Sequence, residues 1–147
     1  VIEWMKGLAD PLRGALTGAG VTILLQSSSA TVGMAVVLTT QKLLTLPAGI
    51  ALMMGAELGT CADTLVASLG RTRAAVRTGL FHLSFNLLSI LLGLLLILPF
   101  TELVLFLSGH APPGRQLANA HVLFNLLDVL LILPFAAGLA NGLERWL

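Results

Sequence analysis

Polar residues interrupt an otherwise apolar chain at a few sharply defined places. Residues 14–40 are apolar except at "QSSSA", residues 26–30. The arms on either side, residues 14–25 and 30–40, are each shorter than the ~20 residues a helix needs to cross a bilayer. The pattern predicts either one crossing with an unwound middle or a re-entrant hairpin with QSSS at its tip. Both place the polar residues deep in a membrane. Residues 43–70 repeat the design, with two short apolar arms around "GAELGTCAD". They predict a second broken helix or hairpin. Residues 79–107 and 117–146 predict two transmembrane helices, separated by the loop "SGHAPPGRQ". Residues 1–13 are mixed and predict an interfacial segment, with Trp4 at headgroup level and Asp10-Pro11 as a helix start.

The last two runs echo each other. "HLSFNLLSILLGLLLILPF" (82–100) and "HVLFNLLDVLLILPF" (121–135) share His-x-x-Phe-Asn-Leu-Leu and end in Ile-Leu-Pro-Phe. On a helix His82, Asn86 and Ser89 share one face, as do His121, Asn125 and Asp128. Such polar stripes must point at protein or water rather than lipid.

Composition turns this pattern into a class. The chain is 56% hydrophobic and 10% charged, with mean hydropathy +0.96. Soluble domains carry about 25% charged residues, so the chain reads as an integral membrane protein. The apolar runs do not alternate as barrel strands do, which makes it all-α. The net charge of +1 shows no nucleic-acid footprint, and the one cysteine, Cys61, excludes an intramolecular disulfide. Arg71, Arg73 and Arg77 form the densest basic stretch and point to a cytoplasmic loop. Arg115 then lies outside and Arg145 inside, and Arg13 falls on the Arg71 side under either topology. The chain begins with Val1 and reads as a piece of a longer protein.

The chemistry concentrates at the interruptions. Gln26, Ser27, Ser28 and Ser29 offer donors and acceptors without charge. An unwound helix there would free backbone groups as well, and transporters use broken helices in this way for anions and cations. The bland alternative is serines that bond back within a helix and mediate packing. In the second interruption Gly55 and Gly59 flank Glu57, with Thr60 and Asp63 following. Acidic side chains at bilayer depth are functional candidates, unless they face a wet vestibule or a helix dipole. His82 and His121 either bind substrate and relay protons or satisfy neighbouring helices, and Asp128 either acts in the site or pairs with an arginine elsewhere. Gly14-x-x-x-Gly18, with Ala15 and Ala19, is a close-packing face. Serines flanked by serines show no marked nucleophile. This weighs against an intramembrane hydrolase built on Ser28 with His82 or His121, and the chain reads as a non-enzyme.

"GVTILLQSSSATVG", then "GAELGT", then "FHLSFN" resembles the type II sodium/phosphate cotransporter family, especially its bacterial members. The likeness covers essentially the whole chain and looks like the second of two homologous, inverted repeats. It implies half of a secondary active transporter that moves inorganic phosphate with sodium. By carry-over, Gln26, Ser27, Ser28 and Ser29 contribute to phosphate and sodium binding. Gly55, Gly59 and Thr60 form the companion break, and Asn86 matches the asparagine of the Phe-Asn motif. Sodium would be held by Ser27, Ser28, Ser29 and Thr60; Glu57, Gly59 and Asn86 join the substrate and ion site, with Thr22, Thr31, Gly55, Asp63, His82, Asn125 and Asp128 as further candidates for it. The implied partners are phosphate, the lipid bilayer, and the other repeat or a second copy. The implied place is a bacterial inner (plasma) membrane, and no cofactor beyond the coupling ion is implied. This chain departs from the family pattern at Glu57, where asparagine is usual, and at Cys61 and Asp63, where threonines are usual. A carboxylate in place of an amide strengthens cation binding, substitutes a proton for sodium, or repels phosphate. The alternative is a non-transporting regulatory or scaffold half with a degenerate site.

Overall fold

Polar capping residues and prolines set where each helix begins and ends. The computed structural model describes residues 10–138 and 141–142, and among them there is no strand. Six helices follow in order: α1 (Pro11–Leu25), α2 (Ser28–Thr40), α3 (Leu46–Ser68), α4 (Arg73–Leu95), α5 (Ile97–Ser108) and α6 (Pro113–Ile132). A 3-10 turn, Leu133–Phe135, follows α6, and helical backbone resumes at 136–138. The all-α expectation holds. Asp10 caps α1 by accepting from the N–H groups of Leu12 and Arg13, with Pro11 in the first turn. Thr45 and Thr72 cap α3 and α4 in the same way. Trp4, the rest of residues 1–9, and Arg145 lie outside the described residues.

The α1–α2 unit is a hairpin. Thr22 Oγ1 donates to Thr31 Oγ1 at 2.9 Å. Residues nine apart on a continuous helix would be about 13 Å apart, so the chain folds back on itself. The arms have 15 and 13 residues, about 22 and 20 Å long. Neither crosses a ~30 Å hydrocarbon core alone. Of the two predicted arrangements, the structure shows the hairpin.

α3 is the central element, and here the structure corrects the sequence. Residues 43–70 contain no break: α3 runs unbroken for 23 residues through GAELGT, about 34 Å. The glycines serve contact rather than bending. A Cβ on Gly55 would collide with the carbonyl of Ala15, and one on Gly18 with the carbonyl of Leu52. One on Gly59 would lie 2.8 Å from the Ala19 carbonyl oxygen and 2.6 Å from Thr22 Cβ. Gly55-x-x-x-Gly59 thus faces the small-residue face of α1 at Ala15, Gly18 and Ala19, and the backbones of α1 and α3 touch. Ala51, Met53 and Met54 are fully buried in the core around α3.

The predicted helix over 79–107 is two helices, α4 and α5, joined at Leu96. Pro99 explains the joint. It cannot donate to the Leu95 carbonyl, and its ring clashes with that carbonyl in a straight helix. The echo motif behaves alike: α6 gives way to the 3-10 turn at Leu133-Pro134-Phe135. α5 folds back along α6, with Phe100 edge-on to Phe124 at 6.2 Å and Asn119 donating to Ser108 Oγ.

Three helices are long and apolar enough to cross a membrane: Leu46–Ser68, Arg73–Leu95 and Pro113–Gly138. Because α1 runs alongside α3 in the same direction, with Ala15 at Gly55 and Thr22 at Gly59, Arg13 lies toward the start of α3. Lys42 and Arg115 lie there too, since Gly114 abuts Thr40 and Val36. Arg71, Arg73 and Arg77 follow the far end of α3. The expectation that Arg13 shares the Arg71 side is therefore corrected, because it treated 14–40 and 43–70 alike, whereas the first is a hairpin and the second one continuous helix.

Candidate functional site: the hairpin tip and the histidine bridges

At the tip, two helix ends meet over two residues. Gln26 is left-handed (φ 53°, ψ 34°), and its N–H closes α1 on the Thr22 carbonyl. Ser27 is extended, and its Oγ accepts from the Ala30 N–H at 3.2 Å, capping α2. Ser28 and Ser29 form the first turn of α2, where backbone N–H groups have no intrahelical partner. The last carbonyls of α1 are unpaired for the same reason. The start of α2 therefore carries partial positive charge and the end of α1 partial negative charge. A buried relay sets this geometry: Thr22 donates to Thr31, and Thr31 Oγ1 donates to the Ser27 carbonyl at 3.2 Å. Thr22 and Thr31 are fully buried, so they position the tip. Gln26 and Ser29 are exposed, while Ser27 and Ser28 are partly covered.

Against α3 the predicted residues divide. Gly55 and Gly59 face the hairpin arm. Glu57 is two residues from each, about 200° round the helix, and so faces the opposite way. There its Oε1 meets His121 Nε2 on α6 at 2.9 Å. One turn on, Cys61 meets His82 on α4, with Sγ 3.8 Å from Nε2. The two echoed motifs thus hold α3 from two sides by the same means. Asn86 donates to the His82 carbonyl and Asn125 to the His121 carbonyl. Asn86 is buried and Asn125 exposed. Thr60 donates to the Ala56 carbonyl at 3.3 Å, and Asp63 is partly covered. Ser89 and Asp128 are buried between α4 and α6.

Sequence reasoning missed both histidine bridges and the threonine relay. Glu57 and His121 are 64 residues apart, and no local pattern announces such a contact. Among the described residues no group of three or more His, Cys, Asp or Glu could hold a metal ion. The Glu57 bridge yields a direct prediction. Glu57→Gln keeps an acceptor for His121 and is expected to melt close to wild type. Glu57→Leu strands the imidazole and is expected to lose about 1–3 kcal/mol. Detergent-phase thermal melts check the order, and equal melting of the two variants would contradict the bridge.

Comparison with known proteins places these features. A family model described as Na+/Pi-cotransporter matches residues 3–131. The chain is 33% identical to the "Putative inorganic phosphate export protein YjbB" of Escherichia coli, over 90% of this chain and 24% of that protein. It is 33% identical to the human "Sodium-dependent phosphate transport protein 2C", over 97% of this chain and 24% of that protein. It is 31% identical to YqeW of Bacillus subtilis, over 81% of this chain and 38% of that protein. The chain thus spans between about a quarter and two-fifths of the length of these relatives. No solved structure matches it. With a family model covering most of its length, and the QSSS hairpin in place, the chain belongs to the Na+/Pi-cotransporter family.

Proposed function

We propose that this chain supplies one hairpin-bearing repeat of a secondary active transporter that moves inorganic phosphate together with sodium across a membrane. One observation carries the reading: the tip at Gln26–Ser29 brings a helix start and a helix end together between two short apolar arms. Unpaired N–H groups of Ser28 and Ser29 suit phosphate. The unpaired carbonyls ending α1, with the Ser27, Ser28 and Ser29 hydroxyls, suit sodium. Relatives named for phosphate export and for sodium-dependent phosphate transport agree with that chemistry. The tip is open on this chain, and the transporter's other repeat or a second copy would close it. Thr60 is assigned a supporting sodium contact from the adjacent face of α3. Glu57 is not assigned to the phosphate site, because it faces away from the hairpin.

The experiment is uptake of labelled phosphate by the full-length protein in liposomes. Uptake is expected with an imposed sodium gradient and not with choline in place of sodium. Glu57→Gln is expected to keep that dependence. Binding of phosphate without any uptake would favour the regulatory or scaffold alternative.

A further inference from the structure

We propose that Asp128 and Ser89 form a monovalent-cation site, for sodium or a proton, separate from the hairpin tip. The two residues occupy equivalent places in the echoed motifs, each seven positions after the motif histidine. Asp128 on α6 is 8% exposed and Ser89 on α4 is 4% exposed. Their side chains approach closely enough to interact. Asp128 Oδ1 and Ser89 Oγ are both buried, and beyond each other they have no hydrogen-bond partner among the described residues. They open into a recess otherwise lined by Leu92, Leu96, Phe124 and Leu131, with Gly93 and Leu127 beside them.

A carboxylate in an apolar recess whose one partner is a neutral hydroxyl costs several kcal/mol. Something must neutralise it, and among the described residues no lysine or arginine on the packed helices lies beside it. Arg77 is twelve residues before Ser89 on α4, and Arg115 is thirteen before Asp128 on α6, about 18 and 20 Å along the helices. The titratable groups facing the cluster from its neighbours are Glu57 and Cys61 on α3, His82 on α4 and His121 on α6. His121 is held by Glu57 and His82 lies against Cys61. α5 contributes only Glu102, which is exposed. The donors are a single carboxylate and a hydroxyl, all hard oxygens, which suit an alkali cation or a proton rather than a transition metal. The recess leaves room for water or a group from the rest of the transporter to complete a sodium shell.

The inference rests on the transporter reading only for its purpose, so it is tested by cation binding without phosphate. The full-length protein is purified in detergent, and equilibrium binding of radioactive sodium is compared between wild type and Asp128→Asn. If the cation is sodium, Asp128→Asn binds one sodium fewer per chain, and Ser89→Ala keeps the count but binds that ion roughly tenfold more weakly, as the loss of one good contact predicts. If the cation is a proton, sodium binding is unchanged. The infrared carbonyl band of a protonated carboxylic acid is then present in wild type and absent in Asp128→Asn. Should Asp128→Asn fail to fold, Ser89→Ala carries the test, by weaker sodium binding or a shifted carbonyl band. Unchanged sodium binding together with an unchanged infrared spectrum overturns the site. A protein that moves no phosphate but loses a sodium in Asp128→Asn overturns the transport reading and keeps this one.

Discussion

Replacing Gly55 by alanine is expected to leave no correctly folded protein, although the change adds only one methyl group. α1 and α3 meet backbone to backbone, and the added Cβ would collide with the Ala15 carbonyl. Overpacking costs ~1–3 kcal/mol where side chains can yield. Here the opposing atom is backbone, so the two helices must separate, and the cost is expected to exceed that range. Separation also removes the surface on which the hairpin is seated, so the tip goes with it. Gly20→Ala is the matched control. Nothing lies within 4 Å of a Cβ at Gly20, and alanine favours helix over glycine by about 1 kcal/mol. Size-exclusion profiles and melting temperatures of the two variants check this. A monodisperse Gly55→Ala protein that melts with wild type would refute the backbone contact.

Ser28→Pro is expected to abolish tight phosphate binding while keeping the fold. Ser28 is the first residue of α2, a place where proline is well tolerated because its N–H has no helical partner. The residue before it, Ser27, is extended (φ −155°, ψ 103°), as a residue before proline prefers. The substitution therefore deletes one backbone donor and one hydroxyl with little strain. A hydrogen bond to a charged group is worth about 1.5–3 kcal/mol, so phosphate affinity should fall roughly 10- to 100-fold. Ser28→Ala removes the hydroxyl alone and should lose less. Equal losses for the two variants would mean that the backbone donor plays no part.

The sequence made the hairpin tip visible but not its topology. A polar run between two short apolar arms marks a break under either topology. The choice between crossing and re-entry depends on Thr22 meeting Thr31, which is a tertiary fact. At 43–70 the glycines misled, because glycine permits both a break and a close helix contact. The matching Gly14-x-x-x-Gly18 face was legible as a packing surface, and pairing it with Gly55-x-x-x-Gly59 would have argued for a straight α3. The kink before α5 was also legible, since Pro99 lies inside an otherwise helical pattern. The placement of Glu57 followed from that same error. On a continuous helix it faces away from Gly55 and Gly59, toward His121. The His-x-x-Phe-Asn echo was read correctly as a pair of polar stripes, but what each stripe grips on α3 required the fold.

Phosphate affinity measured with and without sodium tests most directly whether one hairpin tip serves both ions. The full-length protein in detergent is titrated with labelled phosphate in sodium chloride and in choline chloride of equal ionic strength. Two ligands that share a site of opposite charges strengthen each other reciprocally. Phosphate is expected to bind at least roughly tenfold more tightly in sodium, which is a coupling of about 1.4 kcal/mol, and Ser28→Pro should weaken binding in both salts. Measurable phosphate binding with the same affinity in sodium and in choline would contradict the account.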